Sequence, residues 1–119
     1  MKYMLLIYTD EKLYAPGERE ACFEESVQLT HDLSANGQYV AASPLQLVAT
    51  ASSVKVRNGE AIVTDGPFAE TREQLGGYYI VDVKDREEAL AIAARIPGAK
   101  LGTVEVRPLV ELEGLPPGV

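Results

Sequence analysis

Nine residues near the middle of the chain carry the side chains best suited to chemistry: Asp65-Gly66-Pro67-Phe68-Ala69-Glu70-Thr71-Arg72-Glu73. They combine four ionisable side chains and one aromatic ring with a turn-forming Gly-Pro pair. A connection of this length and content between two strand-like segments is typical of a binding loop. Asp65 and Glu70 are the candidate general bases, because a carboxylate can accept a proton from a substrate when its surroundings set a suitable pKa.

Each of these residues also has a structural interpretation. Asp65 can accept hydrogen bonds from the backbone N–H groups that follow it and so shape the turn. Phe68 can anchor the loop to the core or to a partner chain, or it can be a stacking wall for a ligand. Glu70, Arg72 and Glu73 can be a solvated cluster, with ion pairs that contribute under ~1 kcal/mol each. Alternatively, Glu70 and Arg72 lie at the rim of a cleft together with Glu105 and Arg107. The residues alone leave these alternatives open.

Two strand-like segments could supply the floor of such a cleft. Tyr78 and Tyr79 point to opposite faces of one strand, so one of them reaches the side away from the helices. In segment 101–109, Glu105 and Arg107 share the face opposite the valines. Covered charges must be paired or must bind something polar, so these two are either an ion pair across a dimer or substrate anchors. The candidate substrate-binding residues are Phe68, Arg72, Tyr78, Glu105 and Arg107.

The usual catalytic side chains are scarce. His31 is the only histidine, and helical spacing places it beside Glu20 and Glu24 on the solvated side of a helix. Cys22 is the only cysteine; it lies on the core face, and the lack of an intrachain disulfide fits a reducing cytosol. The sequence has no zinc-ligand spacing, no glycine-rich nucleotide motif and no GxSxG, so we expect neither a metal nor a cofactor.

Composition narrows the classes of partner. The formal net charge is -7 and the 11 Lys and Arg residues are scattered, so we expect no nucleic acid. No segment approaches the ~20 apolar residues that span a bilayer, so we expect no membrane partner and a soluble, cytoplasmic protein. With 119 residues the chain is one domain by size, which we place at residues 1–110, followed by a loosely ordered tail at 111–119.

The elements that must position these residues can be read from periodicity and turn signals. They are a strand at 2–9, a helix at 18–36, a strand at 38–47 interrupted by Pro44, a hairpin around Asn58-Gly59, a strand at 77–83, a helix at 85–96 and a strand at 101–109. This β-α-β-(β-hairpin)-β-α-β order predicts an α+β, ferredoxin-like protomer with both helices on one sheet face. The other face is apolar, so we expect a second copy to cover it as a two-fold homodimer.

A resemblance adds to this interpretation. The run VTDGPFAETREQLGGYY at 63–79 closely resembles the signature of the DGPF (DGPFAETKE) proteins of the YCII-related superfamily, except that Arg72 stands where Lys is usual. Residues 89–97 and the VEVRP strand at 104–108 also resemble the family, so the similarity covers the whole chain. It implies a dimeric α+β barrel of ferredoxin-like protomers. Some related enzymes use a His-Asp pair on small chlorinated aromatic compounds, and no histidine here matches that pair.

Two hypotheses of function follow. The first is a cofactor-free enzyme or binder for a small polar or aromatic metabolite, working by proton transfer in a carboxylate-lined cleft with Arg72 or Arg107 as an anion anchor. The second rests on the resemblance, because some relatives are encoded beside, or fused to, extracytoplasmic-function sigma factors. It is a non-enzymatic dimeric regulatory module with a sigma factor as its partner.

Overall fold

The computed structural model describes residues 1–118, and Val119, the end of the expected tail, lies outside the described residues. The helices and strands follow one another as β1 Lys2–Thr9, α1 Glu18–Ala35, β2 Tyr39–Pro44, β3 Ser52–Arg57, β4 Glu60–Asp65, β5 Gln74–Asp82, α2 Arg86–Ala93 and β6 Thr103–Pro108. Short 3-10 turns lie at Glu11–Leu13, Val48–Thr50 and Pro97–Lys100. This element order agrees with the sequence prediction.

Four strands form one antiparallel sheet in the order β2-β5-β1-β6. The first strand is therefore central, between β5 and the last strand of the chain. The position of Pro44 fits this order, because proline is tolerated on edge strands and β2 is an edge strand that ends at Pro44. The shift in strand register lies elsewhere on β2, between Tyr39 and Ala41.

Both helices pack on one face of this sheet. Alternate residues of the two central strands, Tyr3 and Leu5 on β1 and Tyr79 and Val81 on β5, join one buried cluster with residues of α1 and α2. Leu33 of α1 is fully buried in it. The α+β class and the mostly antiparallel sheet are thus as predicted and are compatible with a ferredoxin-like arrangement. In the described protomer the opposite face, which we call the open face, carries no helix.

The second helix is shorter than the pattern predicts. Asp85 caps its start, because its carboxylate accepts a hydrogen bond from the Glu88 N–H at 2.9 Å. The helix was expected to continue to Ile96 but ends at Ala93. The N–H groups of Arg95 and Ile96 donate to carbonyls three residues back, at 2.9 and 3.2 Å, so the last turn tightens before Pro97.

The hairpin formed by β3 and β4 is a separate two-stranded sheet. Asn58 and Gly59 at its tip have φ of 52° and 77°, which is the type I′ geometry that Asn-Gly predicts. At its base the Gly66 N–H donates to the Ala51 carbonyl at 2.8 Å, and the Ser53 hydroxyl donates to the Gly66 carbonyl at 2.9 Å. These bonds close the hairpin, but its strands pair with none of the four sheet strands.

One face of this hairpin is apolar and uncovered. Direct cross-strand partners point to the same side of a sheet, so the pairs Val54–Val63 and Val56–Ala61 share a face. Val54, Val56 and Val63 are 63%, 63% and 65% exposed. A lone two-stranded ribbon is at best marginally stable in water, and this valine face is an apolar surface that the hairpin leaves exposed.

The shape of the protomer reflects these uncovered surfaces. Its principal extents are 46 × 45 × 21 Å and its radius of gyration is 16.0 Å. A compact domain of this length would have a radius of gyration of about 13 to 14 Å, so the protomer is flat and spread out. Residues 109–118 form no helix or strand. Within residues 1–118 no helix is long and apolar enough to cross a membrane.

Candidate functional site

A shallow groove of about 500 Å³ lies where the 66–73 loop passes the open face of the sheet. We call it the loop groove. It is lined by Tyr8 of β1, Thr103 and Glu105 of β6, and Ala69, Thr71 and Glu73 of the loop. The predicted cleft between the DGPF stretch and the sheet therefore has a counterpart in the structure, at one end of β1 and β6.

Hydrogen bonds fix the second half of the loop against β6. The Thr103 hydroxyl donates to a Glu73 carboxylate oxygen at 2.9 Å, and the Thr71 hydroxyl donates to the Glu73 carbonyl at 2.6 Å. The Gln74 side-chain amide donates to the Thr71 carbonyl. The Thr103 hydroxyl thus engages one oxygen of the Glu73 carboxylate beside the groove.

Strand register brings three of the predicted binding residues onto the floor beside this groove. Leu6 has Tyr78 as its neighbour on β5 and Glu105 as its neighbour on β6, and Met4 has Arg107. Adjacent strands lie about 4.8 Å apart, so the backbones of Tyr78 and Glu105 are about 10 Å apart across the open face. One small molecule could touch both.

The remaining predicted residues lie away from the loop groove. Asp65 ends β4 on the valine face and is exposed, and no hydrogen bond to its side chain is present among residues 1–118. Phe68 is 85% exposed and does not anchor the loop to the core of this protomer. Glu70 and Arg72 are also exposed. Of the predicted catalytic and binding residues, only Glu105 lines the groove itself.

The loop residues that do line the groove are the alternate ones. Ala69, Thr71 and Glu73 border it. The residues between and before them, Phe68, Glu70 and Arg72, do not. Ala69, Thr71 and Glu73 are therefore the loop side chains that a ligand in the groove would meet. Sequence reasoning favoured the larger even-numbered side chains and missed Thr71, Glu73 and Tyr8. No local pattern could have found the loop residues among them, because bends at 68–69 and 72–73 interrupt any regular alternation.

The groove is acidic. Glu73 and Glu105 contribute two carboxylates, and no Lys or Arg is among the described residues that line it. The predicted anion anchors, Arg72 and Arg107, are not part of the lining. Ionised carboxylates only accept hydrogen bonds, so the groove suits a ligand that donates them. Among residues 1–118 no three His, Cys, Asp or Glu side chains converge to hold a metal ion.

The groups with displaced pKa values lie on the helix side of the sheet. Burial raises the pKa of the Cys22 thiol, and the carboxylates of Glu25 and Glu18 raise it further. Burial also raises the pKa of the Tyr79 hydroxyl, against the opposing effect of its hydrogen bond to Ser26. Both effects keep these side chains neutral at physiological pH, and neither residue lines the loop groove.

Comparison with known proteins shows similarity along the chain. Residues 1–113 match the YCII-related domain. An uncharacterized protein of Rhizobium meliloti (strain 1021) is 41% identical over 118 residues, covering 92% of each chain. The match includes β1, the loop and β6, which together build the loop groove.

Proposed function

This chain belongs to the YCII-related domain family, and from that premise we propose that it is a homodimer that binds a small polar or aromatic metabolite in the loop groove. Within the family we assign it to the DGPF group, on the strength of the run DGPFAETRE. The observation that carries the proposal is the pair of carboxylates in the groove, with Glu73 held in place by Thr103 at 2.9 Å.

The lining defines the chemistry of the ligand. Glu73 and Glu105 accept hydrogen bonds and carry negative charge, so the ligand presents an amine or several hydroxyl groups to them. Tyr8 supplies an aromatic surface beside the carboxylates, against which a flat ring can pack. A hydroxylated aromatic amine combines these features.

The dimer is supported by two apolar surfaces that one protomer leaves uncovered. The open face presents Met4, Leu6 and Tyr78, and the hairpin presents its valine face. Four strands and about six residues of length give the open face a projected area of about 400 Å². A standard interface buries about 800 Å² per partner, so the hairpin must contribute to a stable dimer. In a two-fold dimer the same two surfaces of each copy take part in the interface.

Proton transfer is the reaction that the carboxylates of Asp65 and Glu70 would catalyse. Neither residue lines the groove in one protomer. Catalysis would therefore require the loop or hairpin of the partner copy to approach the groove. Binding is the role that the groove of each protomer can fulfil with its own residues.

The test uses two probes that share a phenol ring and differ in charge, tyramine and 3-(4-hydroxyphenyl)propanoate. We expect tyramine to shift the amide NMR signals of Tyr8, Glu73 and Glu105, and the acid to leave them unchanged. Glu105→Gln should weaken tyramine binding by about 10- to 100-fold, since a hydrogen bond to a charged group is worth about 1.5 to 3 kcal/mol. Glu111→Gln in the exposed tail is the matched control. Equal binding of the two probes, or no shift with either, would overturn the proposal.

A further inference from the structure

A second concavity lies on the helix side of the sheet, across from the loop groove. It encloses about 300 Å³ between the first half of α1 and strands β1, β2 and β5. We call it the helix-side cavity. Its walls are mostly apolar and include Ile7, Phe23, Val27, Leu47, Tyr79 and Ile96.

The cavity exists because the residues that line it on three elements have short side chains. Gly76 and Gly77 of β5, Ser26 of α1 and Ala42 of β2 all line it. Gly77 cannot be enlarged freely, because a Cβ there would lie 3.1 Å from the Ser43 carbonyl oxygen. A gap of this size, bordered by aromatic and aliphatic residues, has the character of a ligand site.

A fixed cation stands at the rim. The Arg19 guanidinium lies 4.6 Å from the centroid of the Phe23 ring, and one of its nitrogens donates to the Leu45 carbonyl at 3.2 Å. These contacts hold the side chain while leaving most of its N–H donors available. Arg19 has no carboxylate partner within salt-bridge distance among the described residues. A half-buried guanidinium of this kind favours an anion that can pair with it.

Among residues 1–118 the cavity lining holds one other charged side chain, Glu11, whose carboxylate already accepts the Val48 N–H at 3.0 Å. The Tyr79 hydroxyl donates to the Ser26 carbonyl at 3.1 Å, and the Tyr14 hydroxyl donates to the Thr9 hydroxyl at 3.2 Å. Their protons are therefore already used, and the buried part of a ligand gains little from being polar. The polar requirement is concentrated at the Arg19 rim.

We propose that the helix-side cavity binds a small monocarboxylic acid with an aliphatic or aromatic body. Its carbon body fills the apolar interior and its carboxylate pairs with Arg19. A volume equal to about ten water molecules, at about 30 Å³ each, accommodates roughly ten to fifteen non-hydrogen atoms. Glu11 also lines the cavity and accepts the Val48 N–H at 3.0 Å, so its charge disfavours a second carboxylate on the ligand. This site is independent of the loop groove.

The first test compares octanoate with octanamide, which has the same shape without the charge. We expect octanoate to shift the NMR signals of Ser26, Gly76 and Gly77, and to bind at least about tenfold more tightly than octanamide, the difference that one charge-assisted pair supplies. Bound octanoate should also slow the alkylation of Cys22, which lines the same cavity. No shift at millimolar octanoate, or equal affinity for the two compounds, would overturn the proposal.

Variants separate the cavity from the rest of the molecule. Ser26→Leu fills the interior and should abolish octanoate binding, whereas Ser34→Leu makes the same change at an exposed position of α1 and should not. Arg19→Gln should reduce octanoate affinity to that of octanamide and leave octanamide unaffected, which keeps the test decisive if Ser26→Leu fails to fold. Equal loss of binding in Ser34→Leu, or full octanoate affinity in Arg19→Gln, would refute the assignment.

Discussion

Replacing the two paired valines of the hairpin with threonine tests whether its apolar face is an interface. Val54 and Val63 are direct cross-strand partners on one face. Threonine keeps the β-branched shape that strands favour, so the double change Val54→Thr with Val63→Thr should leave the protomer folded. It replaces one methyl group with a hydroxyl at each position, and this hydroxyl must be buried without a partner when a second copy covers it.

The expected size follows from the exposure of these residues. They are 63% and 65% exposed in one protomer, so nearly two-thirds of each side chain is left for a partner to cover. At each site the substitution removes a methyl group that the partner would cover and buries a hydroxyl instead. For a side chain that is about two-thirds exposed in one copy, this makes the free energy of dimer formation less favourable by about 1 kcal/mol. Two sites in each of two copies give about 4 kcal/mol, or about a thousandfold weaker dimer at 1.4 kcal/mol per factor of ten.

Sedimentation equilibrium over a range of concentrations measures this directly. The wild type should be a dimer at micromolar concentration, and the double variant should be a monomer there with an unchanged circular dichroism spectrum. Ile62→Thr is the control, because Ile62 pairs with Lys55 on the opposite face of the hairpin. If Ile62→Thr dissociates the dimer as strongly, the argument from the valine face is wrong. A monomeric wild type would leave this face for a different protein, including the sigma factor that the family resemblance suggests.

Two further predictions concern the core beneath the helices. Tyr79→Phe removes the hydrogen bond to the Ser26 carbonyl and should lower the free energy of unfolding in urea by about 1 kcal/mol. Burial raises the Tyr79 pKa above its ordinary value of 10.0, so the folded state holds the hydroxyl proton more tightly than the unfolded state does. The stability that this difference in pKa contributes is complete below about pH 10 and is lost as pH rises through the raised pKa. The free energy of unfolding of Tyr79→Phe should therefore decline less steeply at alkaline pH than that of the wild type. An identical decline would exclude the Tyr79 hydroxyl as its cause. Leu33→Ala removes a side chain of α1 that is 0% exposed and should lower the free energy of unfolding by about 3 to 5 kcal/mol. The control, Leu112→Ala, changes a residue that is 62% exposed and should change this free energy by less than about 0.5 kcal/mol. Equal effects of the two substitutions would contradict the position of the core.

Features that depend on neighbours in the chain could be predicted from the sequence. The Asn58-Gly59 turn, the alternation along β6 and the exposed position of His31 follow from local backbone preference or from one periodic element. The residues of such an element share a single pattern, so its buried face can be recognised without knowing what packs against it. The same reasoning placed Glu105 and Arg107 together, away from the helices.

Features that depend on distant segments could not be predicted in this way. Which side chains of the 66–73 loop face the sheet depends on contacts with β6, such as the hydrogen bond between Thr103 and Glu73, and a loop has no periodic pattern that reveals its orientation. The helix-side cavity arises only when Ser26, Ala42 and Gly77 meet across three elements. No single one of these small residues indicates a cavity by itself.

The central position of β1 has a consequence for how the chain is made. The segment 2–9 leaves the ribosome well before its partners, residues 74–82 and 103–108. At about 5 to 20 residues per second, the apolar segment KYMLLIYT waits roughly 5 to 20 seconds for its second neighbour. Until residues 74–82 emerge, both of its edges are open to strands of other nascent chains, and one edge stays open until residues 103–108 follow. Synthesis of this protein thus includes an interval in which its most central strand is also its most vulnerable to aggregation.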